Sequence, residues 1–126
     1  MKRLAAAICL LLFALSMSFW GHWKLNKTCD ELISELYDCV EIAQNGDEQE
    51  IAEKGEYLNK WWEKNHTVLS VLVNHSALDT MQSFLPTLRE LAEMGDTEEL
   101  IENCYECINM TEDLKMNEEI SVGNIF

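Results

Sequence analysis

The sequence predicts an all-α protein: an N-terminal transmembrane helix followed by an antiparallel four-helix bundle made of two repeated αα-hairpins. Three observations lead there. The chain of 126 residues holds 5 Gly and 1 Pro, too few breakers for a sandwich or barrel with many tight turns. Leu4 to Trp20 carries no charge. The remaining residues repeat themselves at an offset of 49 (95 − 46), each copy centred on a Gly-Asp pair.

The first segment, residues 1–24, opens with Lys2 and Arg3 and then runs apolar, readable on to Trp23. Seventeen to twenty helical residues, at about 1.5 Å each, come close to the roughly 30 Å hydrocarbon core of a bilayer. Phe19, Trp20 and Trp23 gather at the far end, where amphipathic rings favour the membrane interface. A retained anchor, contacting lipid through residues 4–23, fits this length and aromatic end. A cleaved signal peptide is the alternative, with Ala14-Leu15-Ser16 or Ser16-Met17-Ser18 as small-residue cleavage sites. Neither Cys9, inside the apolar run, nor Cys29, after a polar stretch, makes a lipoprotein site. Lys2 and Arg3 favour a cytoplasmic N-terminus and a domain outside, although Lys24 and Lys27 on the other side reduce the bias.

The bundle is expected over residues 25–114, with hairpin repeats at about 28–63 and 77–114. Across the offset, Asp30 matches Asp79, Leu36 matches Leu85, Glu41 matches Glu90, and Gly46-Asp47 matches Gly95-Asp96. Each Gly-Asp reads as a helix stop followed by a helix start. Gly takes a left-handed C′ position at little steric cost, and Asp caps the next helix. Glu50 and Glu99 stand three residues later, where a capping-box partner belongs.

Helical spacing then assigns the elements. The first helix runs from about Thr28 to Asn45, with Leu32, Leu36, Cys39 and Val40 inward. The second starts at Asp47 and is expected to break near Asn65, unless Val68 to Val73 continue it. The third runs from Ser76 to Met94, with Pro86 inside it as a kink or a break after Phe84. The fourth runs from Asp96 to about Leu114. Residues 115–126 read as an irregular tail whose end, Ile125-Phe126, is apolar enough to dock.

Composition narrows function. With 23 Asp and Glu against 9 Lys and Arg, the net charge is −14 and the sequence pI about 4.4. Few cations remain to neutralise phosphates, so nucleic-acid binding is a poor reading.

Cys104 and Cys107 form a C-x-x-C, but in mid-helix among carboxylates, which oppose the thiolate that redox enzymes need. Four thiolates for zinc would include Cys29 and Cys39, about 15 Å apart along one helix, too far to share an ion. In an up-down bundle, Cys39 falls level with Cys104, so this pair is the candidate disulfide if the domain lies outside the cell. Reduced core cysteines are the plainer reading for all four.

His75 and Asp79, spaced i, i+4, could form an acid/base pair or a local hydrogen bond at a helix start. Trp61 and Trp62 cannot both face inward, so one of them could line a binding surface. These four residues are the candidate binding surface. No catalytic set, metal site or cofactor is expected. Asn26, Asn65, Asn74 and Asn109 head Asn-x-Ser/Thr triplets, several of them at helix ends where such residues also serve as caps.

The apolar start, Lys60-Trp61-Trp62, Asn74-His75-Ser76-Ala77-Leu78-Asp79, Gly95-Asp96 and the Asn124-Ile125-Phe126 ending together resemble one family. It is the bacterial domain of unknown function 4363 family, found mainly in Firmicutes. The resemblance covers almost the whole chain. It implies a small membrane-anchored helical protein with no assigned activity, substrate or cofactor. It also favours a retained anchor and makes glycosylation irrelevant.

The expected function is therefore a non-enzymatic interaction or scaffold module at the outer face of a bacterial cell membrane. Its partner would be another protein or a second copy of the chain. An extracytoplasmic ligand- or metal-binding sensor bundle is the alternative.

Overall fold

The computed structural model describes the backbone of residues 1–73 and 75–125, and the side chains of the same residues as far as 116. The described chain is α-helical nearly throughout. The elements are α1 (Lys2–Asn45), α2 (Glu48–Leu72), α3 (His75–Met94) and α4 (Thr97–Ile125). They pack in a ring, α1 beside α2 and α4, α3 beside α2 and α4, with no diagonal contact among the described residues. The two wider interfaces, α1 with α4 and α2 with α3, lie between the hairpins rather than within them.

The apolar segment and the first bundle helix are one continuous helix. The composition boundary near residue 24 is not a structural boundary, because Gly21 is the only breaker nearby and one helical Gly costs only about 1 kcal/mol. Gly21 also has a packing reason: a Cβ there would lie 3.3 Å from Leu72 Cδ2. Residues 1–20 are exposed and project beyond the bundle. From Leu25 onward α1 turns a buried stripe inward, Thr28, Cys29, Leu32, Leu36, Cys39, Val40 and Ala43. The projecting part is long and apolar enough to cross a membrane.

The repeat survives in three dimensions. Leu36 and Leu85, and likewise Leu32 and Met81, are buried at equivalent positions. Asp47 and Asp96 both cap, each Oδ1 accepting the N–H three residues on, from Glu50 at 2.8 Å and from Glu99 at 3.3 Å.

The two glycines before them behave differently. Gly95 is left-handed, with φ of 77°, and closes a Schellman turn: Asp96 N–H donates to the Leu91 carbonyl and Gly95 N–H to that of Ala92. Gly46 departs from expectation. Its φ of −87° and ψ of 168° are extended. What requires Gly there is space, since a Cβ would come 2.7 Å from the Ile42 carbonyl oxygen.

Three other expectations are corrected. α2 does not break at Asn65, whose side-chain amide donates to the Trp61 carbonyl of its own helix at 2.8 Å. α3 runs through Pro86 without the break after Phe84. α4 does not end at Leu114. Nothing between Lys115 and Ser121 breaks a helix, and Lys115 Nζ meets Asp30 Oδ1 of α1 at 2.6 Å. Docking by the Ile125 and Phe126 side chains lies outside the described residues, as does Asn74.

Candidate functional site

The residues singled out in the sequence are not gathered into one surface. Trp62 is a core residue, 1% exposed, its indole N–H donated to Gln82 Oε1 of α3. The His66 ring stands edge-on to it at 5.6 Å. Trp61, on the same helix, is half-buried and packs against the edge of the core. His75 and Asp79 are exposed in the first turns of α3. Ten residues separate Trp62 from the end of α2, about 15 Å of helix, so it lies well above the His75 turn.

The cysteines divide by environment. Cys9 is exposed on the projecting segment, and Cys29, Cys39, Cys104 and Cys107 are buried. Across the α1–α4 seam the thiols of Cys39 and Cys104 are in hydrogen-bond contact. Both are carried as free thiols. One turn away, Tyr37 and Tyr105 pair edge-on at 6.4 Å across the same seam. The Cys104 hydrogen bond holds the Cys39 thiol below its ordinary pKa, and the nearby Lys54 charge adds to this against the effect of burial. Cys104 is correspondingly raised by that hydrogen bond and by burial. Burial pushes the Cys107 thiol up to about 12. The C-x-x-C therefore lacks the depressed thiol of a redox motif.

The most polar feature of the interior is one the sequence reading did not select. Lys54 of α2 is 9% exposed and bridges two carboxylates of α1, Glu35 and, at 2.9 Å, Asp38. Its ammonium also lies 4.6 Å from the centroid of the Tyr57 ring, and Tyr57 OH donates to Glu35 Oε1 at 3.4 Å. Burial disfavours the Lys54 charge, but the hydrogen bonds and charges of Glu35 and Asp38 outweigh it, and its pKa rises. A signal for it existed. Lys54 sits on the stripe of Ile51, Gly55, Leu58 and Trp62, where the apolar spacing calls for a buried residue.

Chemically this cluster is closed. Cys39 is 1% exposed and Cys104 fully buried, so neither meets a substrate without the helices parting. Among the described residues no three His, Cys, Asp or Glu side chains converge to hold a metal ion. Among the described residues, one open surface hollow is lined by Trp23, Asn26, Lys27 and Asp30 along the first turns of the bundle.

A family model described as domain of unknown function, DUF4363, matches residues 19–125. The chain belongs to the DUF4363 family. The match begins at Phe19, two residues before the bundle does, so the DUF4363 unit is the packed part of the chain with the aromatic end of the apolar segment attached. No curated protein and no solved structure matches the chain.

Proposed function

We propose that this DUF4363 protein is a single-pass membrane protein whose helical bundle is held at the outer face of a bacterial cell membrane as a non-enzymatic interaction or scaffold module. The observation that supports it most is the continuity of α1. The segment long and apolar enough to span, with none of its side chains buried, is the same helix that supplies the buried stripe of the bundle. A bundle built in this way carries its own rigid mount. Its polar interior is spent on tying α1 to α2, and its buried thiols Cys39 and Cys104 face each other rather than a cleft, which suits a structural part better than a catalytic one.

The test is fractionation of a C-terminally tagged full chain in a Gram-positive host, followed by protease treatment of intact protoplasts. The expected result is a full-mass protein in the membrane fraction, digested from outside and crosslinked in cells to a partner or to itself. Release into the medium at reduced mass would show a cleaved signal. Protection from protease would put the bundle on the inner side.

A further inference from the structure

The end of the bundle nearest the apolar segment is level with the end of that segment, and this has a geometric consequence. On α1 every residue as far as Trp20 is exposed, and Gly21 is already beside Leu72, the last residue of α2. α3 begins three residues later, at His75. The Lys115–Asp30 ion pair fixes α4 against α1 in antiparallel register, and ten more residues of helix bring its backbone to Ile125, level with about residue 20. All four helix ends therefore reach one plane within about a turn of each other. No linker separates that plane from the span, because α1 does not break.

Leu4 to Trp20 gives about 25 Å of helix, which fills most of a hydrocarbon core of roughly 30 Å, and the headgroup zone adds roughly 5–8 Å on each side. The end plane of the bundle therefore falls inside the headgroup zone rather than above it. Its composition agrees. Trp20 and Trp23 are each 51% exposed on α1, and Val71, in the last turn of α2, is 81% exposed.

Charge points the same way. The near ends of α1, α2 and α3 carry Lys24, Lys27 and Lys64 against Asp79, and α4 returns Glu118 and Glu119 to about that level, so this end is close to neutral. The opposite end carries Asp47, Glu48, Glu50, Asp96, Glu98 and Glu99 at the two Gly-Asp turns, with no cation among the residues of either turn. An anionic leaflet repels that end and tolerates the near one.

We propose that the last turn of α2, where Val71 is exposed, is a lipid-binding surface that beds into the headgroup layer beside Trp20 and Trp23, so that the bundle stands upright on the leaflet. The occupant is the bilayer that the apolar segment crosses, and the inference rests on that crossing. Val71 is exposed in water for the same reason that it is apolar: its partner is the acyl–headgroup boundary, the depth at which amphipathic surfaces settle.

The experiment uses the full chain in nanodiscs of zwitterionic and anionic phospholipid. In a Cys9→Ala background the four remaining cysteines are buried, so an environment-sensitive fluorophore can be placed at Val71→Cys, at Leu12→Cys in mid-span, or at Glu98→Cys on the far end. Lipids carrying a nitroxide just below the headgroup should quench the probe at 71 by about twofold or more and blue-shift it, and leave the probe at 98 unchanged. Nitroxides deep in the chains should quench the probe at 12. If 12 is quenched and 71 behaves like 98, the span stands and the docking surface is wrong. If 12 is not quenched, the span itself is wrong and the docking surface falls with it.

Discussion

Two seams join the hairpins, and the repeat makes them equivalent. In the α2–α3 seam Gly55 faces Ala92 and Arg89, and a Cβ on Gly55 would lie 2.6 Å from the Ala92 Cβ. One repeat further along (55 + 49 = 104), the residue in the place of Gly55 is Cys104, and its seam partner on α1 is Cys39. The same position in the same architecture is thus filled by no side chain on one side and by a thiol meeting a thiol on the other. The two seams are both wide, but they close by different means: helix backbones brought together by a glycine, or two small soft side chains in contact. A repeat preserves the stripe that must be buried. It does not preserve the volume at each point of the stripe, because each seam needs only to be filled, not filled identically.

The sharpest way to break this comparison is Gly55→Ala. The α2–α3 seam has no room for a methyl, and its neighbour is another Cβ rather than a flexible side-chain end. We expect a loss of about 2 kcal/mol, read by urea unfolding of the full chain in mild detergent. A neutral result would mean that α2 and α3 move apart freely, and that the seam is not close-packed.

Next in size is Lys54→Met. Lys54 precedes Gly55 in α2 but reaches across to Glu35 and Asp38, and its charge is felt at Cys39. It therefore couples the two seams. Glu35 and Asp38 are 28% and 54% exposed and water can replace the ammonium, so the loss should be about 1–2 kcal/mol rather than that of a sealed pair. The pH dependence has a definite sign. The folded pKa of Lys54 is raised above its ordinary 10.5, so its contribution is complete below 10.5 and disappears as pH rises through the higher folded value. Wild type and Lys54→Met should converge in stability only in strong alkali. Convergence at neutral pH would remove the bridge from the account.

The smallest expected effect is Cys104→Ala, which removes one sulfur from the other seam and leaves a small void. About 1 kcal/mol is expected. The same variant should make Cys39 less reactive towards a thiol reagent once the bundle is loosened in urea, since Cys39 loses the donor that favours its thiolate. An unchanged Cys39 rate would show that the thiol contact carries nothing.

Much of this fold was legible because it rests on local rules. The spacing of Leu32, Leu36 and Val40 required a buried helical face, and the Asp47 and Asp96 caps followed from one side chain and one N–H three residues away. The level of Cys39 with Cys104 followed from helical rise once the bundle was taken as up-down.

What was not legible depended on partners far along the chain. The stripe of α2 puts Lys54 inside, but it does not say that Glu35 and Asp38 of α1 will meet it. Trp62 continues the stripe of Leu58, but the acceptor of its indole N–H, Gln82, lies on another helix. Gly46 and Gly95 are identical letters, yet one turn is extended and the other left-handed. The break assigned between the apolar segment and the bundle came from composition, which reports what surrounds a helix and not whether the helix continues.

That continuity has a mechanical consequence. A helix without a joint is a shaft, and whatever tilts one end swings the other. About 25 residues of α1 lie beyond Gly21, a lever arm of roughly 37 Å. A change of about 20° in the inclination of the membrane segment, within the range that bilayer thickness imposes on such helices, would sweep the acidic Gly46 tip sideways by roughly 13 Å. Small adjustments among lipids would become displacements at the far end large enough to make or miss a contact.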